Sequence, residues 1–312
     1  MNDVARFRAE VEERLARCER NLAAFKKDRA ASFSAHIAAF DRLLAPLNGW
    51  AGRVGLYTNV HPDAEMRETC EDLEQKIARL STSIGLDRDL FDALASFTPT
   101  DEATEEERRL FEHALRDFRR SGVDRDEPTR ERIRALQEEL VAVGQDFDRN
   151  IITGGRELVV QDGHAGLAGL PQDFLDAHPE REDGTVLLNT DPTDRFPVMT
   201  YAHDEGLRRE YSHAFANRAY PENVDVLARM LELRHELAKL LGYEHWADYV
   251  TEDKMTTSAG VAQAFLDRVV GLVRERALEE HEELAAVKRA APGSVTEDVR
   301  EYDRLYLTER LR

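Results

Sequence analysis

The stretch that decides the fold class is PTRERIRALQEELVAVGQDFDRNI, residues 128–151. Its apolar side chains recur every three or four positions, which is the spacing of one face of an α-helix. Pro128 is predicted to stand in the first turn, where a helix tolerates proline. The predicted buried face comprises Ile133, Leu136, Leu140, Val143, Phe147 and Ile151.

The same helical spacing extends towards the N-terminus. Apolar residues three and four positions apart run from Val11 to Phe25, from Phe33 to Leu44 and from Leu73 to Leu80. Thr104 followed by Glu107 is a capping-box signature, which predicts the start of a helix. Residues 1–153 are therefore predicted to be helical, with these stripes packed in a core.

The pattern changes between residues 154 and 203. Short apolar runs bounded by Gly, Pro, Asp and Asn are typical of strands, and they occur at 158–160, 186–188 and Val198-Met199. A short helix is predicted from Pro171 to about His178. We predict a small β-sheet insertion within 154–203, not a separate domain.

Helices resume over residues 204–312. One long stripe begins at Val224 and ends at Leu241, and Gly242 stands where a helix would terminate. Thr257 or Ser258 is predicted to cap the next helix and Ala291-Pro292-Gly293 to break it, with a last helix from Val295. The residues of that capped helix predicted to point inward are Val261, Phe265, Val269 and Leu272. The predicted fold class is mainly α with the small sheet at 154–203.

Composition narrows the possible partners. The 312 residues carry a net charge of −19, which repels phosphate backbones and disfavours nucleic acid as a partner. No apolar segment approaches the roughly 18 residues that a membrane span needs, and the N-terminus has no signal-peptide run. Cys18 and Cys70 lie far apart without metal-ligand spacing, as expected of free thiols in a reducing compartment. These features predict a cytoplasmic protein.

Several polar residues are of the types found in metal sites or catalytic sites. His203, Asp204 and Glu205 combine zinc-ligand types, but Asp204 is better explained as a helix N-cap and Glu205 as first-turn charge. His113 and Asp117, one turn apart, suit a surface pair better than a two-ligand site.

Five further features suit structural roles better than a functional site. Arg234 and Arg218 are expected in structural salt bridges, and Gly154-Gly155 is expected in a loop at a helix end. Tyr201 and Tyr211 are more typical of core than of a binding surface.

The chain resembles one family through motifs in a fixed order. These are Phe147-Asp148-Arg149-Asn150-Ile151, Gly169-Leu170-Pro171, the run from Leu207-Arg208 to Leu237-Ala238, Leu241-Gly242-Tyr243, Lys254-Met255, and Tyr302-Asp303-Arg304-Leu305-Tyr306. The family is the thimet-oligopeptidase-like zinc metallopeptidases, which include oligopeptidase A, dipeptidyl carboxypeptidase and neurolysin. The resemblance covers essentially the whole chain, more loosely before residue 60, and corresponds to the family's N-terminal portion.

The resemblance implies a helical enzyme with a deep channel between two lobes that admits short unfolded peptides. Its zinc site rests on H-E-x-x-H, where two His share a helix face and the Glu activates metal-bound water. His235-Glu236 is followed by Lys239 at the required position, and His281-Glu282 by Ala285. We therefore expect zinc outside this chain and assign no catalytic, cofactor-binding or metal residue within it.

The leading hypothesis is one lobe, residues 1–312, of a zinc oligopeptidase that is truncated or split. Its expected partners are short peptides and a catalytic C-terminal half. The chain alone is predicted to be inactive and to expose apolar surface that the other half would cover. The alternatives are a naturally short, non-catalytic peptide-binding or partner-regulating protein and, less favoured, a helical scaffold unrelated to peptidases.

Overall fold

The computed structural model describes residues 3–27, 30–291 and 298–312, which form two compact units. The first unit comprises residues up to Gln145 together with Arg229–Tyr249, and the second comprises Asp146–Ala228 and Val250–Arg312. The described helices are α1 (Asp3–Phe25), α2 (Phe33–Val60), α3 (Ala64–Gly85), α4 (Arg88–Ala95), α5 (Glu105–Ser121), α6 (Glu127–Thr153), α7 (Gln172–Ala177), α8 (Pro192–Tyr201), α9 (Glu205–Ala216), α10 (Glu222–Leu241), α11 (Trp246–Thr251), α12 (Ala259–Ala290) and α13 (Arg304–Leu311). Short 3-10 helices lie at Gly163–Leu167 and Glu301–Asp303. Within the described ranges, no helix combines the length and apolar character that crossing a membrane requires.

The mainly α fold with a small sheet is confirmed. Strands β1 (Glu157–Val160) and β2 (Val186–Asn189) pair antiparallel, with Glu157 opposite Asn189 and Val160 opposite Val186. The short helix predicted after Pro171 is also confirmed as α7.

The strand predicted at Val198-Met199 is wrong, because both residues lie in α8. Pro192 occupies the first turn of α8, and the buried Asp194 carboxylate accepts a hydrogen bond from the Asn189 backbone N–H at 2.9 Å. A short apolar run is compatible with a buried helical turn as well as with a strand. The helix-start residues decide between the two.

The core of the first unit is built from the predicted helical stripes. Val11, Cys18 and Leu22 of α1 are buried, as are Phe40 of α2 and Leu73 of α3. The capping box at the start of α5 is present, with the Thr104 hydroxyl accepting from the Glu107 N–H.

A second apolar cluster in this unit joins α6 to α10. Its fully buried members include Ile133, Leu136 and Leu233. Gly242 ends α10 with φ +91°, a left-handed backbone that favours glycine. Arg125 donates to the last carbonyl of α10, the Leu241 oxygen, at 2.6 Å.

The predicted inward face of α12 is wrong. Ser258 caps the helix as expected, but the exposed fractions of Phe265 and Leu272 are 60% and 73%, and Val261 and Val269 are exposed as well. On α10, Val224, Leu227 and Leu231 are also exposed. Periodicity identifies an apolar face but does not say whether another element covers it.

The predicted end of α12 is only partly described. The helix ends at Ala290, next to the predicted break, and the final α-helix starts at Arg304. Pro292, Gly293 and the predicted helix start at Val295 lie outside the described residues.

Replacing Leu73 with Ala should test the core of the first unit. The side chain is fully buried on α3, so Leu73→Ala should lower the free energy of unfolding by about 2–5 kcal/mol. Leu56→Ala on α2 is the control, because Leu56 is 57% exposed and its loss should change stability by under about 0.5 kcal/mol. Urea denaturation followed by circular dichroism measures both, and equal effects would contradict the packing described.

Candidate functional site

The described residues bring no zinc-binding donor set together. Among them, no group of three or more His, Cys, Asp or Glu side chains is arranged to hold a metal ion. A catalytic zinc site needs three protein ligands, so the side chains of the described part of the chain do not fit the metal that the family resemblance implies.

The most concentrated polar arrangement is a buried charge cluster in the second unit, formed by Glu205, Arg208, Lys288 and Asp303. At least 92% of each residue is buried. Asp303 Oδ1 accepts from Arg208 Nη2 at 3.1 Å, and Oδ2 accepts from Lys288 Nζ at 2.5 Å. Two carboxylates and two cations leave the cluster with no net charge, which is the condition for burying ions at tolerable cost.

The two cations are hydrogen-bonded by the surrounding oxygens. Lys288 Nζ also donates to Glu205 Oε1 at 3.2 Å and to the Asp298 carbonyl at 2.9 Å, so its three N–H groups have acceptors. Arg208 Nη1 donates to the carbonyls of Ala202 and His203. With its donors engaged, the Lys288 amine is not available as a base or nucleophile, and the cluster is structural.

Three elements position the cluster. Glu205 and Arg208 lie in the first turn and a half of α9, Lys288 lies near the end of α12, and Asp303 ends the 3-10 helix before α13. The Arg208 guanidinium stands 4.1 Å from the Tyr306 ring centroid, a cation–π contact. The cluster thus ties together α9, α12 and α13.

The candidate at 203–205 has a structural role. Asp204 caps α9, as predicted, by accepting from Gly206 N–H at 2.7 Å. Glu205 lies in the first turn of α9, as predicted. Its carboxylate is also buried and paired with Lys288, a contact that was not predicted. His203 is exposed and its ring lies edge-on to Tyr306.

His113 and Asp117 line an open cavity of 280 Å³ in the first unit, and Phe40 and Phe118 are among its other lining residues. Asp117 accepts a hydrogen bond from the adjacent Arg116 at 2.8 Å, not from His113. The pair expected from the spacing is therefore not formed.

Glu236 is held by an arginine on α6. Arg132 Nε and Nη2 donate to its two oxygens at 2.6 and 2.7 Å. This hydrogen bonding is the main cause that holds the pKa of Glu236 below its ordinary value. A carboxylate kept ionised on an exposed surface suits an ion pair better than a general base.

The salt bridges expected for Arg234 and Arg218 are replaced by ring contacts. Arg234 lies 5.7 Å from the Trp246 ring and Arg218 lies 4.2 Å from the Phe215 ring. Aromatic faces attract guanidinium groups as carboxylates do, and sequence spacing does not distinguish the two partners.

Tyr211 belongs to the core. Its hydroxyl donates to the Asn189 carbonyl at 2.7 Å, and burial is the main cause that raises the pKa of Tyr211. Tyr201 is 41% exposed. Gly154 follows α6 in a loop, as expected, where an added Cβ would lie 2.5 Å from the Asn150 oxygen.

Comparisons with known proteins identify the relatives of this chain. Residues 198–312 match the family model of Peptidase family M3. The chain is 28% identical to "Oligopeptidase A" of Salmonella typhimurium over 81% of this chain and 39% of the relative. It is 29% identical to "Mitochondrial intermediate peptidase 2" of Cryptococcus neoformans over 72% of this chain and 28% of the relative. It is 22% identical to "Probable cytosolic oligopeptidase A" of Arabidopsis thaliana over 99% of this chain and 47% of the relative.

These matches confirm the resemblance to the thimet-oligopeptidase-like metallopeptidases. The chain spans less than half the length of each of these relatives. The buried charge cluster lies wholly within the stretch that matches the M3 family model. Arg208 and Asp303 fall within the sequence motifs that indicated the family, although no role was predicted for either residue.

Asp303→Asn should reveal how strongly the cluster stabilises the second unit. The substitution keeps the shape but removes the charge that balances Arg208 and Lys288, so the free energy of unfolding should fall by about 3–5 kcal/mol. Glu282→Gln, which removes an exposed charge from α12, should change it by under about 0.5 kcal/mol. Thermal and urea unfolding give the comparison. Equal stability of Asp303→Asn and the unsubstituted chain would contradict the structural role.

The two thiols should be unreactive in the folded protein. Cys18 and Cys70 are buried, and burial is the main cause that raises the pKa of both, that of Cys70 to about 11. At pH 8 iodoacetamide should modify both at least about a hundredfold faster in urea than in buffer. Burial favours the protonated thiols, and this preference stabilises the folded chain. The stabilisation is full below the ordinary thiol pKa, about 8.5, and for Cys70 it is lost as the pH rises towards 11. Rapid modification of the folded chain at pH 8 would show that the burial is wrong.

Proposed function

We propose that this chain is the N-terminal portion of a zinc-dependent metallo-oligopeptidase that hydrolyses short unfolded peptides. One observation carries the proposal: residues 198–312 match Peptidase family M3, yet the described side chains assemble no zinc site. In this proposal the chain is one lobe and one wall of the substrate channel. Its helices hold a peptide extended, while the zinc ligands and catalytic Glu belong to a catalytic C-terminal half.

The catalytic half is the main partner in this proposal, either in the same polypeptide or as a separate chain. The support is the length relation, since the match covers only 39% of the Salmonella typhimurium relative. The net charge of −19 favours peptides over nucleic acids as ligands, and the two buried free thiols suit the cytoplasm.

The second candidate is a non-catalytic protein that binds peptides or regulates a peptidase. The same lack of a zinc donor set among the described residues favours it. Both candidates predict that the isolated chain hydrolyses no peptide. Only the first requires a catalytic C-terminal half.

The purified chain should neither retain stoichiometric zinc nor cleave an internally quenched peptide, with or without added zinc. The reason is that three metal ligands are needed and the described residues supply no such group. Metal analysis and peptide fluorescence measure the two properties, with Escherichia coli "Oligopeptidase A" as the positive control. Zinc-dependent turnover by the chain alone would place the hydrolytic site within it and overturn the proposal.

A further inference from the structure

The cavity beside His113 and Asp117 is a gap among three helices of the first unit. Residues of α2, α3 and α5 line it, and the lining positions on each helix lie mostly three or four residues apart. The cavity therefore runs along one face of each helix. We call it the α5 pocket, because six of its lining residues belong to α5: Leu110, His113, Ala114, Asp117, Phe118 and Ser121.

Small residues on two helices leave room for a ligand. Gly85 on α3 lies so close to α5 that an added Cβ would be 2.9 Å from Ser121 Oγ. Two turns earlier on α5, Ala114 carries only a methyl group, and there the helices leave a cavity of 280 Å³. An apolar cavity of ~150 Å³ binds benzene. The α5 pocket is therefore large enough for a two-ring aromatic molecule.

The apolar lining favours an aromatic ligand. Phe40 and Phe118 are buried, with ring centroids 6.2 Å apart and planes tilted by 48°. Leu44, Leu47 and Ile84 line the same pocket. A further ring can pack against the face or edge of each phenylalanine, and such aromatic pairs add to the free energy gained from apolar burial.

The polar lining favours a ligand that donates hydrogen bonds and carries positive charge. Apart from the titratable His113, Asp117 is the one charged side chain among the described lining residues. Its Oδ1 accepts from Arg116 at 2.8 Å, and its Oδ2 accepts from no described residue. One carboxylate oxygen thus remains for an ammonium group. The net charge of −19 further disfavours an anionic ligand.

We infer that the α5 pocket binds a small aromatic amine. The ligand ring packs against Phe40 and Phe118, and its ammonium pairs with Asp117. Because the pocket is open, the ammonium keeps part of its hydration while the ring is buried. The site lies within residues 40–121, outside the stretch that matches the M3 family model. Binding is independent of peptide hydrolysis, so the outcome of its test leaves the proposed peptidase function open.

Three molecules that share one ring system test the class of ligand. They are tryptamine, indole and indole-3-acetate, which differ in charge. Isothermal titration calorimetry of the full chain should give tryptamine a Kd below about 1 mM, about fivefold tighter than indole and at least about tenfold tighter than indole-3-acetate. Tryptamine that does not bind at about 10 mM, or that binds no more tightly than either other molecule, overturns the inference.

Filling the gap tests the location. Ala114→Leu occupies the space between the helices and should weaken the binding of tryptamine and of indole at least about tenfold. Ala51→Leu is the matched control, because Ala51 is a half-buried alanine of α2 that does not line the pocket, and it should change neither affinity. Tryptamine binding that survives Ala114→Leu would contradict the assigned site.

Removing the charge tests the role of Asp117. Asp117→Asn should weaken tryptamine binding about fivefold and leave indole binding unchanged, because the substitution keeps the shape of the side chain. Glu112→Gln removes an exposed charge of α5 outside the pocket and should affect neither ligand. An equal effect of the two substitutions would show that Asp117 does not select the amine. Circular dichroism confirms that each variant is folded.

Discussion

The buried carboxylate of Asp303 is the constraint on which the second unit depends. It neutralises Arg208 and shares the Lys288 ammonium with Glu205, so four ions removed from water remain balanced. The four residues come from α9, the end of α12 and the turn before α13. If one of these elements shifted, a buried charge would lose its partner. The matched M3 region is therefore held together by electrostatics as well as by its apolar core.

Local sequence signals predicted much of the fold. The capping box at Thr104 and the helix stop at Gly242 each depend on a few neighbouring residues, and both were confirmed. The strand predicted at Val198-Met199 is wrong because a short apolar run does not distinguish a strand from a buried helical turn. The residues that mark the start of the helix are Pro192 and Asp194 in its first turn, where the Asp194 carboxylate accepts a hydrogen bond from the Asn189 N–H.

The charge cluster and the exposure of α12 were harder to predict because they are tertiary properties. Arg208, Lys288 and Asp303 are far apart in sequence, and their spacing carries no signal of mutual contact. For α12, the period correctly identified which side chains share a face. It predicted burial for Phe265 and Leu272 because a periodic pattern contains no information about what lies opposite. H-E-x-x-H differs from both, because it is a local motif whose two His must share one helix face, so its presence or absence is visible in the sequence itself.

In the proposed function, the residues of the hydrolytic site lie outside this chain, and the chain supplies the helical lobe. The most direct measurement is the DNA sequence that follows codon 312 in the genome of origin. We expect an in-frame continuation, or an adjacent reading frame, that encodes H-E-x-x-H. A stop codon with no such frame nearby would contradict it and favour a non-catalytic peptide-binding or regulatory protein.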